Sequence, residues 1–317
     1  MDAKTKNRIY KRYGEDRRCV LYPGDCLELL SQIPDGVVDL TVTSPPYCIG
    51  KEYESSRSVE DFVETHKAVL PAVARVTKAG GSICWQVGTH VTSGSIVPLD
   101  YLVYGLMLAY PEFKLRNRIV WTFGHGLHAT ERFTGRHETI LWFTKGEDYT
   151  FNLDAVRVPQ KYPGKKSYKG PSKGEFSGNP LGKNPSDVWE IPNVKANHLE
   201  KTGHPCQFPL AIPSRLISAL TCEGALILDP FAGSATTAAA AIQLNRRFIG
   251  AEVDLGYLKI ARDRIEAAMS GALPAREDKP ILDPKGTGGV SKKPEHFTWT
   301  NYQEKDGVNG DLEMAQV

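Results

Sequence analysis

The chain has 317 residues, of which 24% are charged and 41% are hydrophobic, and its formal net charge is +2 at pH 7. This length and composition fit one large α/β domain or a domain with an insertion, and they exclude a strongly basic global field as the source of nucleic-acid affinity. No run approaches the roughly 20 apolar residues of a membrane-spanning helix, and the amino-terminal segment lacks the apolar core of a secretory signal. We therefore expect a cytoplasmic protein with no membrane partner.

Strands and helices alternate through the first half of the chain. We predict a strand at Cys19–Tyr22, a helix at Cys26–Ile33 and a strand at Val37–Thr43. Apolar residues at helical spacing predict a helix over Val59–Lys78, which Gly80-Gly81 is expected to end. The next predicted elements are a strand at Ser82–Val87, a helix near Leu99–Leu108 and strands near Asn117–Thr122 and Thr139–Phe143.

Regular order is lost and then regained in the second half. From Val158 to Pro192 the chain is rich in Pro, Gly, Lys, Ser and Asn, and its apolar residues follow neither the helical nor the strand periodicity. Beyond Leu273 a polar, Pro- and Gly-rich composition predicts a poorly ordered tail. Between these regions we predict helices at Pro209–Leu220, Thr236–Leu244 and Leu255–Met269, and strands at Ala225–Asp229 and Arg247–Glu252.

A turn of small residues follows the strand that ends at Asp229, and it reads Pro-Phe-Ala-Gly-Ser before an alanine-rich helix. Small residues let the backbone approach a ligand closely, and the helix start offers free N–H groups. The next strand ends at Glu252, where a carboxylate can accept hydrogen bonds from both hydroxyls of a ribose. The alternative is an ordinary strand-to-helix turn with a surface glutamate. Neither a G-x-G-x-x-G nor a G-x-x-x-x-G-K-[ST] pattern is present, which argues against dinucleotide and nucleoside-triphosphate sites.

The candidate catalytic residues Ser44, Pro45, Pro46 and Tyr47 come directly after the predicted strand that ends at Thr43. The amine of a nucleobase is a poor nucleophile because its lone pair is conjugated with the ring. Two fixed acceptors, the Ser44 hydroxyl and the Pro45 carbonyl, would draw the nitrogen toward tetrahedral geometry, and the prolines would keep both in place. Tyr47 offers a face on which an extruded base can stack. The alternative is a Pro-Pro turn without a catalytic role.

Together these residues resemble the DNA amino-methyltransferases, the family that forms N6-methyladenine and N4-methylcytosine, over roughly Val20 to Ile265. The catalytic motif precedes the cofactor motif, which is the order of the family's beta group. The resemblance implies a Rossmann-like α/β fold, a seven-stranded, mainly parallel sheet with helices on both faces. It also implies S-adenosyl-L-methionine as the cofactor. The residues that it assigns to cofactor binding are Asp25, Cys26, His204, Pro205, Asp229, Phe231, Gly233, Ser234 and Glu252.

The resemblance also divides the chain. It implies a catalytic half at 1–114, an inserted target-recognition region at 115–200, a cofactor-binding half at 201–271 and the tail at 272–317. One residue departs from the family pattern, because Ala235 stands where the family has the second glycine of the cofactor turn. If that position needs a positive φ, alanine costs about 1 kcal/mol and weakens cofactor affinity.

A basic segment within the target-recognition region predicts contact with DNA. Between Arg157 and Lys183 there are seven Lys or Arg residues and one acid, Glu175. A flexible basic loop can follow phosphates, whereas the alternative is a solvated surface loop. The candidate DNA-binding residues are Lys161, Lys165, Lys166, Lys169 and Lys173.

A second loop carries histidines and arginines, namely His125, His128, Arg132, Arg136 and His137. These residues lack the cysteines and the regular ligand spacing of a zinc site, so we assign no metal. We interpret the segment as a loop that closes near the target base or its backbone.

The target base and the partners are less constrained. Ser44 favours cytosine N4, whereas the linker-like stretch from Pro159 to His204 resembles that of adenine-specific members, and adenine N6 is preferred by a small margin. The alternatives to a DNA methyltransferase are an RNA or protein-glutamine methyltransferase and a catalytically silent DNA-binding module. The predicted partner is double-stranded DNA, and the sequence leaves open a cognate restriction endonuclease and a homodimer.

Overall fold

The computed structural model describes residues 18–276 apart from 48–57, 93, 125, 127, 196 and 197. These residues form two compact units, one made of the segments up to 152 and from 186 onward, and one made of residues 153–185. The tail predicted beyond Leu273 lies almost entirely outside the described residues. Within the part of the chain that is described, no helix has the length and apolarity needed to cross a membrane.

The first unit contains a central sheet, a two-stranded hairpin and six helices among its described residues. The strands are β1 (Cys19–Pro23), β2 (Val38–Thr43), β3 (Thr77–Val87), β4 (Thr89–Thr92), β5 (Ser95–Pro98), β6 (Phe113–Thr122), β7 (His137–Lys145), β8 (Val188–Glu190), β9 (Leu226–Asp229) and β10 (Arg247–Glu252). The helices are α1 (Cys26–Leu30), α2 (Val59–Val76), α3 (Leu99–Met107), α4 (Ala211–Leu220), α5 (Thr236–Gln243) and α6 (Leu255–Met269).

The central sheet has the order β1-β10-β9-β2-β3-β7-β6-β8, and β4 pairs with β5 separately. All neighbours from β1 to β3 are parallel, β7 runs antiparallel to both β3 and β6, and β8 is parallel to β6. The expectation of a mainly parallel α/β sheet is therefore confirmed. The sheet has eight strands where seven were expected. The additional strand is β8, which has three residues, pairs with β6 and lies in the stretch from Val158 to Pro192 for which no regular structure was predicted.

Helices cover both faces of this sheet, so side chains on both faces of its central strands are buried, as in all four residues of β9. Leu226 and Leu228 of β9 belong to the same apolar cluster as Phe62 of α2, whereas Ile227, between them, is fully buried outside that cluster. Helix α2 contacts both α1 and α3, and helix α5 contacts both α4 and α6. Helix α2 is amphipathic, and its start is capped by Ser58, whose hydroxyl oxygen accepts from the Asp61 N–H at 3.0 Å.

Two predicted boundaries are wrong by several residues. The helix expected to reach Lys78 ends at Val76, and β3 begins at Thr77 and continues through both glycines that were expected to lie between helix and strand. Thr77 pairs with Val38 of β2, so sheet pairing determines this boundary. Strand β6 begins at Phe113, well before the predicted Asn117, because its first residues pair with the end of β7.

The second unit contains a single-turn 3₁₀ helix at Asp154–Val156 and two isolated antiparallel bridges, Val158 with Lys183 and Lys166 with Phe176. The segment therefore folds back on itself. Arg157 supports its base, because its Nε donates to Asp154 at 2.5 Å and its Nη1 donates to the Gly182 carbonyl at 3.0 Å.

Candidate active site

The two sequence motifs meet at the carboxyl ends of adjacent strands. Ser44 follows the last residue of β2, and the turn that begins at Pro230 follows the last residue of β9. These strands are parallel neighbours, with Leu40 beside Ile227 and Thr41 beside Leu228. Because parallel strands end at the same edge of a sheet, motifs that are distant in sequence lie side by side, where open α/β sheets bind ligands.

A cavity of about 580 Å³ lies at this edge. Its volume is in the usual range for small-molecule sites. The predicted site residues that line it are Asp25, Cys26, Ser44, Pro45, Pro46, Tyr47, His204, Pro205, Phe231, Gly233, Ser234 and Glu252.

Asp229 is the predicted cofactor residue that does not line the cavity. Its side chain is buried, and its two carboxylate oxygens accept from the hydroxyls of Thr43 at 2.6 Å and Thr237 at 2.7 Å and from the Phe231 N–H at 3.1 Å. Burial raises the pKa of Asp229 to about 6, and the hydroxyl donors oppose the rise. The structure therefore places this carboxylate beneath the turn, where it holds the turn to β2.

Glu252 closes the cavity at the end of β10. Its Oε2 accepts from the Gly233 N–H and its Oε1 from the Asp254 N–H, both at 2.8 Å. Burial raises the pKa of this carboxyl. Each carboxylate oxygen can accept more than one hydrogen bond, so both remain able to receive a ribose hydroxyl. The residues fit an adenosine-type ligand for this reason, and because the cavity extends from Glu252 to Ser44.

His204 packs against the glycine of the cofactor turn. A Cβ on Gly233 would lie 3.1 Å from the Nε2 of His204, so a side chain there would crowd the ring, and Gly233 also has a positive φ of 51°. The ring contacts Tyr257 edge-on at 4.4 Å, and its Nδ1 accepts from the Cys206 N–H at 3.2 Å. Burial, aided by the charge of Lys201, lowers the pKa of His204 to about 4, so the imidazole is neutral at pH 7.

Asp25 and Cys26 lie at the start of α1. The Asp25 carboxylate accepts from the Leu27 N–H at 2.7 Å and so caps the start of this helix. Burial raises the pKa of Cys26 to about 12, so this residue presents a thiol rather than a thiolate to the cavity.

Ala235 adopts a left-handed conformation with a positive φ, which is the conformation in which alanine is less favourable than the family's glycine. Its φ is 58°, its ψ is 38°, and it precedes α5 as the capping residue without a side-chain hydrogen bond. Left-handed geometry costs a residue with a Cβ roughly 1–2 kcal/mol. The chain accommodates this strain at a residue whose side chain is fully buried.

The hydroxyl of Tyr47 is held by a cluster of polar side chains. It donates to the Glu138 Oε2 at 3.0 Å and lies 3.1 Å from the Ser44 Oγ. The Gln86 amide donates to the same Glu138 oxygen at 2.6 Å. Burial, together with the charge of Glu138, raises the pKa of Tyr47 well above its ordinary value, so the residue remains a neutral phenol.

Sequence reasoning missed three residues of this region. Gln86 and Glu138 lie on β3 and β7 and line the cavity, and no motif marks them. Arg264 of α6 is buried, and its Nη1 donates to the Ser234 carbonyl and hydroxyl at 2.8 and 2.9 Å and to the Thr236 hydroxyl at 2.7 Å. The signal available for Arg264 was a charged residue on the apolar face of a predicted helix, a pattern that is unusual unless the charge has partners.

The candidate DNA-facing residues divide between the two units. The five lysines are exposed in the second unit, where Lys161 lies over the ring of Tyr162 at 5.5 Å and Lys166 over that of Phe176 at 5.3 Å. The loop between β6 and β7 belongs to the first unit. It begins at Phe123, which lines the cavity, and it leads into β7, whose second residue Glu138 also lines the cavity. Phe133 in this loop is 100% exposed. His125, from the predicted histidine cluster, lies outside the described residues.

Comparison with known proteins identifies the family. A family model described as DNA methylase of the N6/N4 type matches residues 38–263. The chain is 48% identical over 256 residues to the type II methyltransferase M.BglII of Bacillus subtilis, covering 80% of this chain and 71% of that relative. It is 40% identical over 273 residues to the type II methyltransferase M.ScaI of Streptomyces caespitosus, covering 84% and 87%.

A solved structure agrees with the architecture. The structure of TTHA0409 from Thermus thermophilus, crystallised with S-adenosyl-L-methionine, superposes with a TM-score of 0.59 and 25% identity, covering 79% of this chain and 94% of that one. The family model spans both the candidate catalytic strip, residues 44–47, and the cofactor turn, residues 230–235. The fold brings residues of both segments to one cavity. The chain belongs to the N6/N4 DNA methylase family.

Proposed function

We propose that this protein transfers a methyl group from S-adenosyl-L-methionine to an exocyclic amine of a base in double-stranded DNA at a specific site. The observation that carries the proposal is the shared cavity in which Ser44 and Tyr47 face the turn of Gly233 and the carboxylate of Glu252. When bound, S-adenosyl-L-methionine supplies an electrophilic methyl on a sulfonium. Phe231, Gly233, Ser234 and Glu252 would hold it, with Asp25, Cys26, His204 and Pro205 completing the wall.

The catalytic roles follow from the geometry of the strip. The Ser44 hydroxyl and the Pro45 carbonyl accept the hydrogens of the amine and turn its lone pair toward the methyl. Consecutive prolines fix the backbone, which matters because an ångström of misplacement costs about 100-fold in rate. The ring of Tyr47, anchored through its hydroxyl, offers a stacking face to a base that has left the duplex.

The direct test is incubation of the purified protein with unmodified DNA and methyl-labelled S-adenosyl-L-methionine, followed by mass spectrometry of the nucleosides. We expect one methylated nucleoside with wild-type protein and none with Ser44→Ala. Label on RNA or on a protein glutamine, with none on DNA, would contradict the proposal in favour of those alternatives. Failure to bind the cofactor in calorimetry while DNA affinity persists would indicate a silent binding module.

The same experiment identifies the target base. Adenine N6 and cytosine N4 are both exocyclic amines beside a ring nitrogen, and the two acceptors of the strip suit either. N6-methyldeoxyadenosine would confirm the small preference derived from the sequence, and N4-methyldeoxycytidine would reverse it. Long-read sequencing of the same DNA then gives the recognition site.

The second unit is proposed to contact the DNA backbone. Its five exposed lysines, Lys161, Lys165, Lys166, Lys169 and Lys173, are interleaved with aromatic rings and can neutralise phosphates. For each lysine that contacts a phosphate, replacement by Ala should lower the slope of log affinity against log salt by about 1. Lys114→Ala is the matched control, since that lysine is exposed but paired with Glu147.

Two further partners are proposed. A cognate restriction endonuclease is suggested by the type II relatives, and a gene-neighbour search followed by cleavage of unmethylated DNA tests it. A homodimer is compatible with the exposed apolar side chains of Tyr101, Tyr104 and Leu108 on and just after α3. Sedimentation equilibrium of wild type against Leu108→Glu measures it, and a monomer at every concentration would exclude it.

A further inference from the structure

Glu138 stands at the wall of the cavity and collects hydrogen bonds from two neighbours. It lies on β7, next to the antiparallel strand β3 that carries Gln86. Its Oε2 accepts from the Tyr47 hydroxyl at 3.0 Å and from the Gln86 amide at 2.6 Å. A third residue makes room for this arrangement, because a Cβ on Gly88 would lie 3.2 Å from the Tyr47 ring and 3.6 Å from the Glu138 carboxyl carbon.

The direction of these hydrogen bonds determines where the protons lie. A phenol has one proton, and a carboxylate oxygen can only accept, so the proton of Tyr47 points to Glu138. The Ser44 Oγ lies 3.1 Å from the Tyr47 oxygen. Because the Tyr47 proton is already directed to Glu138, this contact requires Ser44 to donate. The hydroxyl proton of Ser44 therefore points at Tyr47, and the lone pairs of its oxygen remain available on the other sides.

This arrangement of protons leaves the Ser44 oxygen suited to accept a hydrogen bond from an amine. A base amine approaches with N–H bonds, which need an oxygen lone pair and are repelled by a hydroxyl proton. A hydroxyl that donates toward a carboxylate-bound phenol is also a stronger acceptor, because hydrogen bonds in a chain polarise one another. Without the carboxylate, either oxygen of the Ser44–Tyr47 pair can be the donor, and the Ser44 proton is free to turn into the cavity.

We propose that Glu138 is a positioning residue for methyl transfer, acting through Tyr47 to orient the Ser44 hydroxyl as an acceptor for the target amine. Gln86 assists by holding the carboxylate in place. This inference rests on the proposed function, since it assigns a role in that reaction. It extends the site from residues 44–47 to the neighbouring strands β3 and β7, which follow β2 in the central sheet.

The first test is Glu138→Gln, which keeps the shape and removes the charge. The new amide can donate to the Tyr47 oxygen, which frees the Tyr47 proton to point at Ser44 and turns the Ser44 proton toward the amine. We expect kcat to fall by up to about 100-fold, with KM for DNA and Kd for S-adenosyl-L-methionine unchanged. A parallel loss in KM or Kd would indicate a structural role instead.

The second test asks whether Glu138 acts through Tyr47. Tyr47→Phe keeps the stacking ring and removes the hydroxyl that links Ser44 to Glu138. In that background Glu138→Gln should cause no further loss of kcat, because residues in one network do not act additively. Independent, additive losses would overturn the inference. If Glu138→Gln does not fold, Gln86→Met withdraws the supporting amide and should lower kcat in the same way.

A third measurement needs neither cofactor nor DNA. In protein labelled with 3-fluorotyrosine, the ¹⁹F resonance that disappears in Tyr47→Phe belongs to Tyr47, and it should shift in Glu138→Gln. Glu64→Gln is the matched control, because Glu64 is an exposed carboxylate on α2. If wild-type protein methylates DNA but Glu138→Gln retains full kcat or leaves the resonance unmoved, this inference fails. If wild-type protein methylates no DNA, the proposed function fails, whatever the resonance does.

Discussion

The hydroxyl of Thr43 donates a 2.6 Å hydrogen bond to the carboxylate of Asp229, from which it is separated by 186 residues. Thr43 is the last residue of β2 and Asp229 the last residue of β9. One buried contact therefore joins the strand that presents the catalytic strip to the strand that presents the cofactor turn. Its strength should affect both the stability of the sheet edge and the affinity for the cofactor.

Thr43→Val keeps the shape of the side chain and removes this donor. Hydrogen bonds to a charged group contribute about 1.5–3 kcal/mol, so we expect the free energy of unfolding to fall by that amount at pH 8. The loss should shrink at pH 5, because the carboxyl of Asp229 has a pKa of about 6 and is then largely protonated. Urea unfolding at the two pH values measures both effects.

Thr41→Val on the same strand is the matched control. The Thr41 hydroxyl is buried, and it has no hydrogen-bond partner among the residues that the structure describes. Its replacement by an apolar group of the same shape should be neutral or stabilising. Equal losses in the two variants would show that the Thr43–Asp229 bond contributes nothing specific.

Ala235→Gly tests the strain in the cofactor turn. Glycine relieves the left-handed conformation at φ 58° but gives up one buried methyl group, so the two effects nearly cancel and the free energy of unfolding should change little. Ala239→Gly loses an equally buried methyl inside α5 and should cost about 2 kcal/mol, since the helix also loses propensity. Thermal unfolding distinguishes the two, and equal losses would mean that Ala235 carries no strain. Calorimetry should show cofactor affinity in Ala235→Gly at or above that of wild type.

His66 predicts a dependence of stability on pH. Its Nδ1 contacts the Phe62 carbonyl at 2.7 Å and its Nε2 accepts from the Trp85 Nε1 at 3.1 Å, which fixes a neutral tautomer. Burial lowers its pKa from 6.5 to about 4. Between these values the unfolded chain binds a proton that the folded chain does not, so stability falls as the pH drops from 6.5 toward 4.

His66→Gln isolates this effect because its side chain does not titrate. The variant should be less stable than wild type at pH 7, and the difference should narrow by about 2 kcal/mol by pH 4.5. Contributions from His204 and Asp229 are common to both proteins and cancel in the comparison. A difference that stays constant across this range would contradict the shifted pKa.

Phe133 tests whether the loop between β6 and β7 engages DNA. An aromatic side chain that is 100% exposed in a loop anchored at the cavity rim can enter the space that a departing base leaves. We expect Phe133→Ala to lower the fluorescence gain of 2-aminopurine placed at the target position, with cofactor affinity unchanged. Met269→Ala, which changes another exposed apolar residue at the end of α6, should leave the signal as it is. An undiminished signal in Phe133→Ala would exclude a wedge at this position.

Local signals in the sequence were sufficient for the elements nearest the cofactor. Strand β10 and helix α6 begin and end where the sequence predicts, because the apolar run and the Asp254 cap are both local. The catalytic strip and all but one of the predicted cofactor residues line one cavity. The role of each of these residues in catalysis or binding remains a prediction.

The features that could not be predicted from the sequence depend on contacts between elements that are distant along the chain. Glu138 and Gln86 become neighbours only because β7 lies antiparallel beside β3, and that pairing leaves no mark in either segment. Asp229 looked like a ligand residue, but its oxygens are directed to Thr43 and Thr237, which a one-dimensional pattern cannot reveal. The early start of β3 at Thr77 has the same origin, in its pairing with β2.

The order of the central sheet has a consequence for synthesis on the ribosome. Of the strands that the structure describes, β9 and β10 are translated last, yet they lie between β1 and β2, which are translated first. Among the described strands, β1 has no other neighbour than β10. A nascent chain that has not yet released Arg247–Glu252 therefore leaves β1 without this neighbour, so the described sheet cannot be completed until β10 has emerged. Premature termination before that strand would yield an aggregation-prone fragment rather than a smaller folded protein.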